Sequence, residues 1–222
     1  MCFSETSSFI NFILLSGYGT YLFKTWRVAL PLWYLGLKDL LQALLYRYMD
    51  TPHIENILGM LSYVHICFQP FIFNMIFSYF DTASNKKSYW NIIFVITFLW
   101  GLWCLTYHHR FDIQNDPDCN DKKSDYCSSE DGGYNGKYHL GYKFKTEKPD
   151  RPMYPVLLFL PSLFTRVYPL SLSIAAIALT LEQMTILLGV RNGEFAAIWC
   201  FLSIIYLIPI AFFRKSILKW LQ

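Results

Sequence analysis

The sequence predicts an all-α integral membrane protein: a bundle of about seven transmembrane helices carrying one long polar loop. Three observations predict it. Of 222 residues, 54% are hydrophobic and only 16% charged, where an ordinary soluble domain is about 25% charged. Apolar runs of helical length recur along the chain between short polar turns. The 19 Phe, 16 Tyr and 7 Trp suit the aromatic belts at a membrane interface as well as packed cores. Residues 1–222 read as a single polytopic domain whose main partner is the lipid bilayer. The net charge of +3 is scattered, with no basic stripe, which argues against nucleic acid as a partner.

The spans run over about 8–23, 28–46, 56–80, 90–107, 153–165, 168–190 and 195–213. The first apolar run resembles a signal peptide in length. However, it has no positive charge before it, and Lys24 and Arg27 follow it. That is the pattern of a retained span with its N-terminus outside. The second span carries Lys38 and Asp39 side by side, and the third contains Pro70. Asp81–Ser88 forms a polar turn, and the fourth span ends in His108-His109-Arg110. The fifth apolar run ends by Phe164 and reaches only about 18 Å as a helix, short of a bilayer's ~30 Å. A six-span alternative therefore lays residues 153–165 in the interface or lets them re-enter. Arg191–Glu194 is a turn, and the tail from Arg214 to Lys219 is basic.

Residues 110–152 break the apolar pattern and form an extramembrane loop. Seven acidic residues come first, then Gly132-Gly133 and Asn135-Gly136, both turn signals. Tyr138, Leu140, Tyr142 and Phe144 then alternate with polar or small residues. Period-two alternation after Asn-Gly predicts a small β-hairpin at the membrane surface. Lys/Arg bias sets the orientation. The connections after spans 1, 3 and 5 plus the tail hold Lys24, Arg27, Lys86, Lys87, Arg166, Arg214, Lys215 and Lys219, against Arg47 and Arg191 opposite when the long loop is left out. This places the N-terminus and the long loop outside and the C-terminus in the cytoplasm.

Polar residues inside the apolar runs are the candidate functional positions. Ser62, His65 and Gln69 fall at i, i+3 and i+7, on one face of a helix. Lipid offers such groups no hydrogen bonds, so they need partners within the protein. Asp39 is an intramembrane carboxylate, with Gln42 one turn on. Lys38, about 100° round the helix, either pairs with Asp39 or snorkels to the interface. Glu182, followed by Gln183, is the other deep acid and a natural partner for His65 or Lys38. Asp39, Gln42, His65, Gln69 and Glu182 form the candidate buried polar site. Pro70 frees the carbonyl of Ile66 and is positioned to kink the helix beside these side chains. Asn74, about one turn further, is a candidate helix–helix contact. For each, the bland reading is a satisfied structural group.

Several features together resemble a known family. Met1-Cys-Phe-Ser-Glu-Thr-Ser-Ser-Phe9 is similar to the start of multi-spanning membrane proteins of bacteria and large DNA viruses that begin Met-Cys-Phe-Ser-Ala-Thr-Ala-Ser-Phe. Asp39-Leu-Leu-Gln42-Ala, His65-Ile-Cys-Phe-Gln-Pro70 and Ile198-Trp-Cys-Phe201 extend the likeness along the chain. Glu5, where that family has Ala, and the charge of Lys38 depart from it. The resemblance implies a polytopic protein of about seven helices and supplies no mechanism.

Cys2 is a candidate N-terminal thiol: removal of Met1 would leave a nucleophile with its own amine as base, a metal ligand or a lipidation site. A metal site would need Cys2 with His108 or His139 and an acid. Cys119 and Cys127 flank a loop on the expected outer side, where an oxidising compartment supports a disulfide. No cofactor is assigned. Phosphate loops, HExxH and GxSxG are absent from the sequence, and no lysine is well placed for retinal. Three functional classes follow. The first is a binding or transport protein with a buried polar cavity for a small molecule or ion. The second is a membrane-embedded enzyme, with or without a metal, and the third a structural or envelope protein whose polar groups join helices.

Overall fold

The computed structural model describes residues 4–81, 86–110, 131–135, 140–144, 153–187, 209–210 and 212–221. The chain is mostly helical. Among the described residues the elements are α1 (Glu5–Tyr21), α2 (Trp26–Arg47), α3 (Pro52–Phe80), α4 (Lys87–Arg110), β1 (Gly132–Asn135), β2 (Leu140–Lys143), α5 (Met153–Leu163), α6 (Tyr168–Leu187) and α7 (Arg214–Leu221). Among the described residues, three stretches are long and apolar enough to cross a membrane: Val28–Arg47, Pro52–Phe80 and Lys87–Thr106. The 17-residue α1 and 11-residue α5 are shorter, and α6 runs 20 residues. The expected last span, 195–213, lies largely outside the described residues.

Each helix begins and turns for a local reason. Ser4 caps α1 by accepting the amide of Ser7 at 3.2 Å, while the Ser7 hydroxyl accepts the Ser4 amide at 3.2 Å. Glu5 lies in the first turn, where the helix dipole favours an acid. It also reaches Arg47 at 3.7 Å, an exposed pair worth little energetically. Pro52 occupies the first position of α3, where its missing N–H costs nothing. At 29 residues, α3 is about 44 Å long and exceeds a bilayer's hydrocarbon by more than two turns.

α1 packs closely along α2. A Cβ on Gly19 would come within 2.7 Å of the Trp33 ring. Trp33 Nε1 donates to the Ser16 carbonyl at 3.0 Å, so the indole is both wedge and bond. α3 is central and touches α2, α4, α5, α7 and β1. Two apolar clusters hold the assembly. One joins Leu22, Val28, Phe80, Trp90, Val167 and Ile210, with Ile217 and Leu218 of α7 packed on it. It therefore gathers the α1–α2, α3–α4 and α5–α6 turns at one end. The other joins Leu45, Leu58, Tyr63, Cys67, Trp100 and Cys104 to Leu140, Tyr142 and Phe144 of the hairpin segment.

Prolines inside helices release carbonyls, and the fold uses one of them directly. Pro161 cannot donate to the carbonyl of Leu157, four residues back. Asn74 Nδ2 on α3 donates to that carbonyl at 2.8 Å, and to the Pro70 carbonyl of its own helix at 2.7 Å. Asn74 is thus the helix–helix contact that its position suggested, and its partner helix is α5.

The hairpin is where the alternation places it: β1 and β2 are antiparallel, with Gly133 opposite Tyr142 and Asn135 opposite Leu140. Leu140, Tyr142 and Phe144 are fully buried against the helices, because one apolar face of a two-stranded sheet must be covered. Two helix side chains accept from its backbone: Glu55 takes the Gly133 amide at 3.1 Å and Tyr46 the Leu140 amide at 3.0 Å. The approach is close enough that a Cβ on Gly59 would collide with the Gly132 backbone.

Gly59→Ala is expected to lift the hairpin from α3, at about 1–3 kcal/mol of stability. Gly17 has open space around it, so Gly17→Ala is the control. Limited proteolysis within residues 132–144, together with denaturant unfolding, reads both. Equal behaviour of the two variants contradicts the contact.

Candidate functional site

α2 and α3 carry the polar residues that meet in the interior. The four residues between the helices make them antiparallel neighbours. Their register is fixed by a reciprocal exchange. The Tyr34 hydroxyl donates to the His65 carbonyl at 2.5 Å, and His65 Nε2 lies 2.7 Å from the Tyr34 carbonyl. A carbonyl only accepts, so Nε2 carries the hydrogen and Nδ1 is the acceptor. The two rings stack with centroids 4.0 Å apart.

The chain of bonds continues along α3. Gln69 Nε2 lies 3.5 Å from His65 Nδ1, and the Tyr154 hydroxyl of α5 donates to Gln69 Oε1. His65 and Gln69 are 3% and 2% exposed, so these bonds supply polar partners in a dry region. Ser62, His65 and Gln69 form one buried polar stripe on α3. Its lower half, His65–Gln69–Asn74, is bonded to α2 and α5.

The other half is different in kind. From the Tyr34–His65 contact, a four-residue step up α2 runs against a four-residue step down α3. This puts Lys38 at the level of Leu61, beside Ser62, and Gln42 at the level of Ile57. Lys38, Asp39, Gln42 and Ser62 are all 0% exposed. Lys38 turns into the interior: its ammonium sits 3.6 Å from the centre of the Tyr142 ring, a cation–π contact strengthened by burial. It lies nine residues from the end of α2, or about 14 Å along the axis. Asp39 is ~100° further round α2, between the Lys38 face and the Trp33–Gly36 side that packs on α1. Among the described residues, neither amide atom of Gln42 nor the hydroxyl of Ser62 has a hydrogen-bond partner.

The remaining expected positions divide plainly. Glu182 lies on α6, but its side chain is outside the described residues, as are Cys2, Cys119, Cys127 and His139 and the side chain of His108. Among the described residues, no three His, Cys, Asp or Glu side chains gather as a metal site. Cys67 and Cys104 are free thiols in the apolar interior.

Tyr34, Glu55, Tyr142 and Tyr154 are parts of the site that reading the sequence misses. Two carried a signal. Tyr34 precedes Lys38 by four residues, and Glu55 precedes Ser62 by seven, so each shares a helix face with a residue already singled out.

Tyr154→Phe leaves Gln69 Oε1 without its donor and is expected to cost about 1–3 kcal/mol. Adding Gln69→Leu removes the orphaned amide, so the double variant should lose less than the sum of the two singles. Strict additivity in denaturant unfolding would show that the two side chains are not bonded.

The family of unknown function DUF5765 matches residues 12–218. No curated protein and no solved structure matches the chain.

Proposed function

The chain belongs to the family of unknown function DUF5765, and from that premise we propose that it is a multi-spanning membrane protein that binds a small polar or charged ligand between α2, α3 and the hairpin. The membrane reading extends to about seven spans, with the N-terminus and long loop outside and the C-terminus in the cytoplasm. It is supported by the three long apolar helices and by outward-facing Ile92, Val95, Ile96, Leu99 and Leu102 on α4. Orientation is supported by the basic residues of alternate turns, which share one end of the bundle. The likeness of the N-terminal residues to the bacterial and viral family belongs to the same proposal.

One observation carries the ligand reading: Gln42 and Ser62 are fully buried with unused hydrogen-bonding groups among the described residues, beside a buried lysine and aspartate. Burying an unsatisfied polar group costs about 1–3 kcal/mol. A sequence that only joined helices would do better with leucine and alanine there. A ligand that exchanges hydrogen bonds with these groups gives them a use. Transport is the version in which the hairpin, seated over Lys38 through Tyr142, leaves and returns. A structural role suits the His65–Gln69–Asn74 half, where each residue is bonded to a neighbouring helix or its backbone. The enzyme alternative rests on Cys2.

The ligand reading has a test that needs no knowledge of the ligand. Gln42→Leu conserves volume and removes both unused polar atoms. It should raise unfolding stability by about 1 kcal/mol or more. A loss of stability instead would mean that the amide is bonded in the fold, and would sink the site. For transport, proton entry into liposomes carrying a trapped pH-sensitive dye should fall at least tenfold with Asp39→Asn. Unchanged flux removes Asp39 from any pathway.

A further inference from the structure

At the opposite end from the hairpin, the molecule presents a cationic surface. α7 reads Arg214-Lys-Ser-Ile-Leu-Lys-Trp-Leu221. Ile217, Leu218 and Leu221 turn inward onto the core cluster. Lys215, Lys219 and Trp220 are exposed, Trp220 by 69%. A helix divided in this way lies along a surface rather than across it. The same cluster gathers the turns that bear Lys24, Lys86, Lys87 and Arg166. In all four segments the sequence holds one acid, Asp81, and Asp81 is buried and accepts from Trp90 Nε1 at 2.9 Å. Lys86 also donates to the Phe164 carbonyl at 3.3 Å, which directs its charge over the α5–α6 turn. The face is therefore positive, edged by exposed Phe212, Phe213 and Trp220. These are side chains that settle at the level of lipid headgroups.

We propose that α7 and the neighbouring turns form a docking surface for anionic phospholipid headgroups, with α7 lying in the interface plane and Trp220 at the headgroup boundary. The proposal rests on the membrane reading above. It adds a lipid preference that the reading by itself does not require. Charge complementarity identifies the partner: seven described cations face outward or sideways around one satisfied acid. Each basic residue near an anionic surface contributes an attraction on the order of a fivefold preference.

The test uses the full chain reconstituted in nanodiscs of equal phosphatidylglycerol and phosphatidylcholine. It is released gently, and the lipids retained are counted by native mass spectrometry. The wild type is expected to retain phosphatidylglycerol over phosphatidylcholine by at least about fivefold, with the preference falling as salt is raised. Arg214→Gln with Lys215→Gln and Lys219→Gln should lower the ratio at least about fivefold, while Arg47→Gln, at the other end, leaves it unchanged. A wild type with no preference, or a preference untouched by both salt and the triple variant, overturns the proposal. Alkaline carbonate extraction separates the two levels. Release from vesicles overturns the membrane reading itself, whereas retention without headgroup preference overturns only the lipid surface.

Discussion

Tyr34 and His65 exchange hydrogen bonds, side chain to backbone in both directions, and that exchange sets how α2 lies on α3. The rest of the interior follows from it. With this register, Lys38 meets the level of Leu61 and Ser62, Leu45 and Leu58 join one apolar cluster, and the end of α2 and the start of α3 form the seat for the hairpin. Aliphatic contacts alone would not fix such a register, since leucine packs on leucine at many offsets. Hydrogen bonds in a dry interior are selective because a slip leaves both partners orphaned. Asn74 applies the same logic on the far side of α3, where it meets a carbonyl that Pro161 has released.

One polar stripe on α3 thus serves two ends. Toward the C-terminal half, His65, Gln69 and the Asn74 Nδ2 group bond to α2, α5 and their own helix, with Asn74 Oδ1 left unpartnered among the described residues, and the fold gains position. Toward the hairpin, Ser62 on α3 and Gln42 on α2 keep unused hydrogen-bonding groups among the described residues while fully buried. Natural sequences violate the rule of polar satisfaction mainly at sites of function. The separation along a single helix is what distinguishes framework from candidate site here.

Much of this was legible in the sequence. Hydropathy alone located α2, α3 and α4, and i, i+3, i+7 spacing put Ser62, His65 and Gln69 on one face. Asn135-Gly136 with the alternation to Phe144 announced the hairpin. The partners were not legible. Tyr34 shares a helix face with Lys38, but neither its bond nor that of Tyr154 could be read, because a hydroxyl at the end of a ring changes no periodic pattern. The seat of the hairpin was hidden for a related reason. Alternation says that Leu140, Tyr142 and Phe144 share a face, but not what covers it. Lys38 was ambiguous because adjacent charges in a span fit snorkelling and burial equally well. Only the position of the Tyr142 ring decides between them.

The order of synthesis gives the Lys38–Tyr142 contact a consequence in time. Tyr142 follows Lys38 by roughly a hundred residues, so α2, α3 and α4 emerge before the ring that covers the ammonium. Under the proposed membrane placement, a span bearing Lys and Asp inserts at a penalty of ~2.5–3.5 kcal/mol for each charge near its centre. The hairpin relieves part of that penalty only after α4 is in place. Assembly is then sequential by construction. The helices form a provisional bundle with a charged opening, and the later arrival of residues 132–144 closes it. A chain halted before the hairpin would display a buried-type lysine to the biosynthetic machinery, a chemical mark of incompleteness carried by the protein itself.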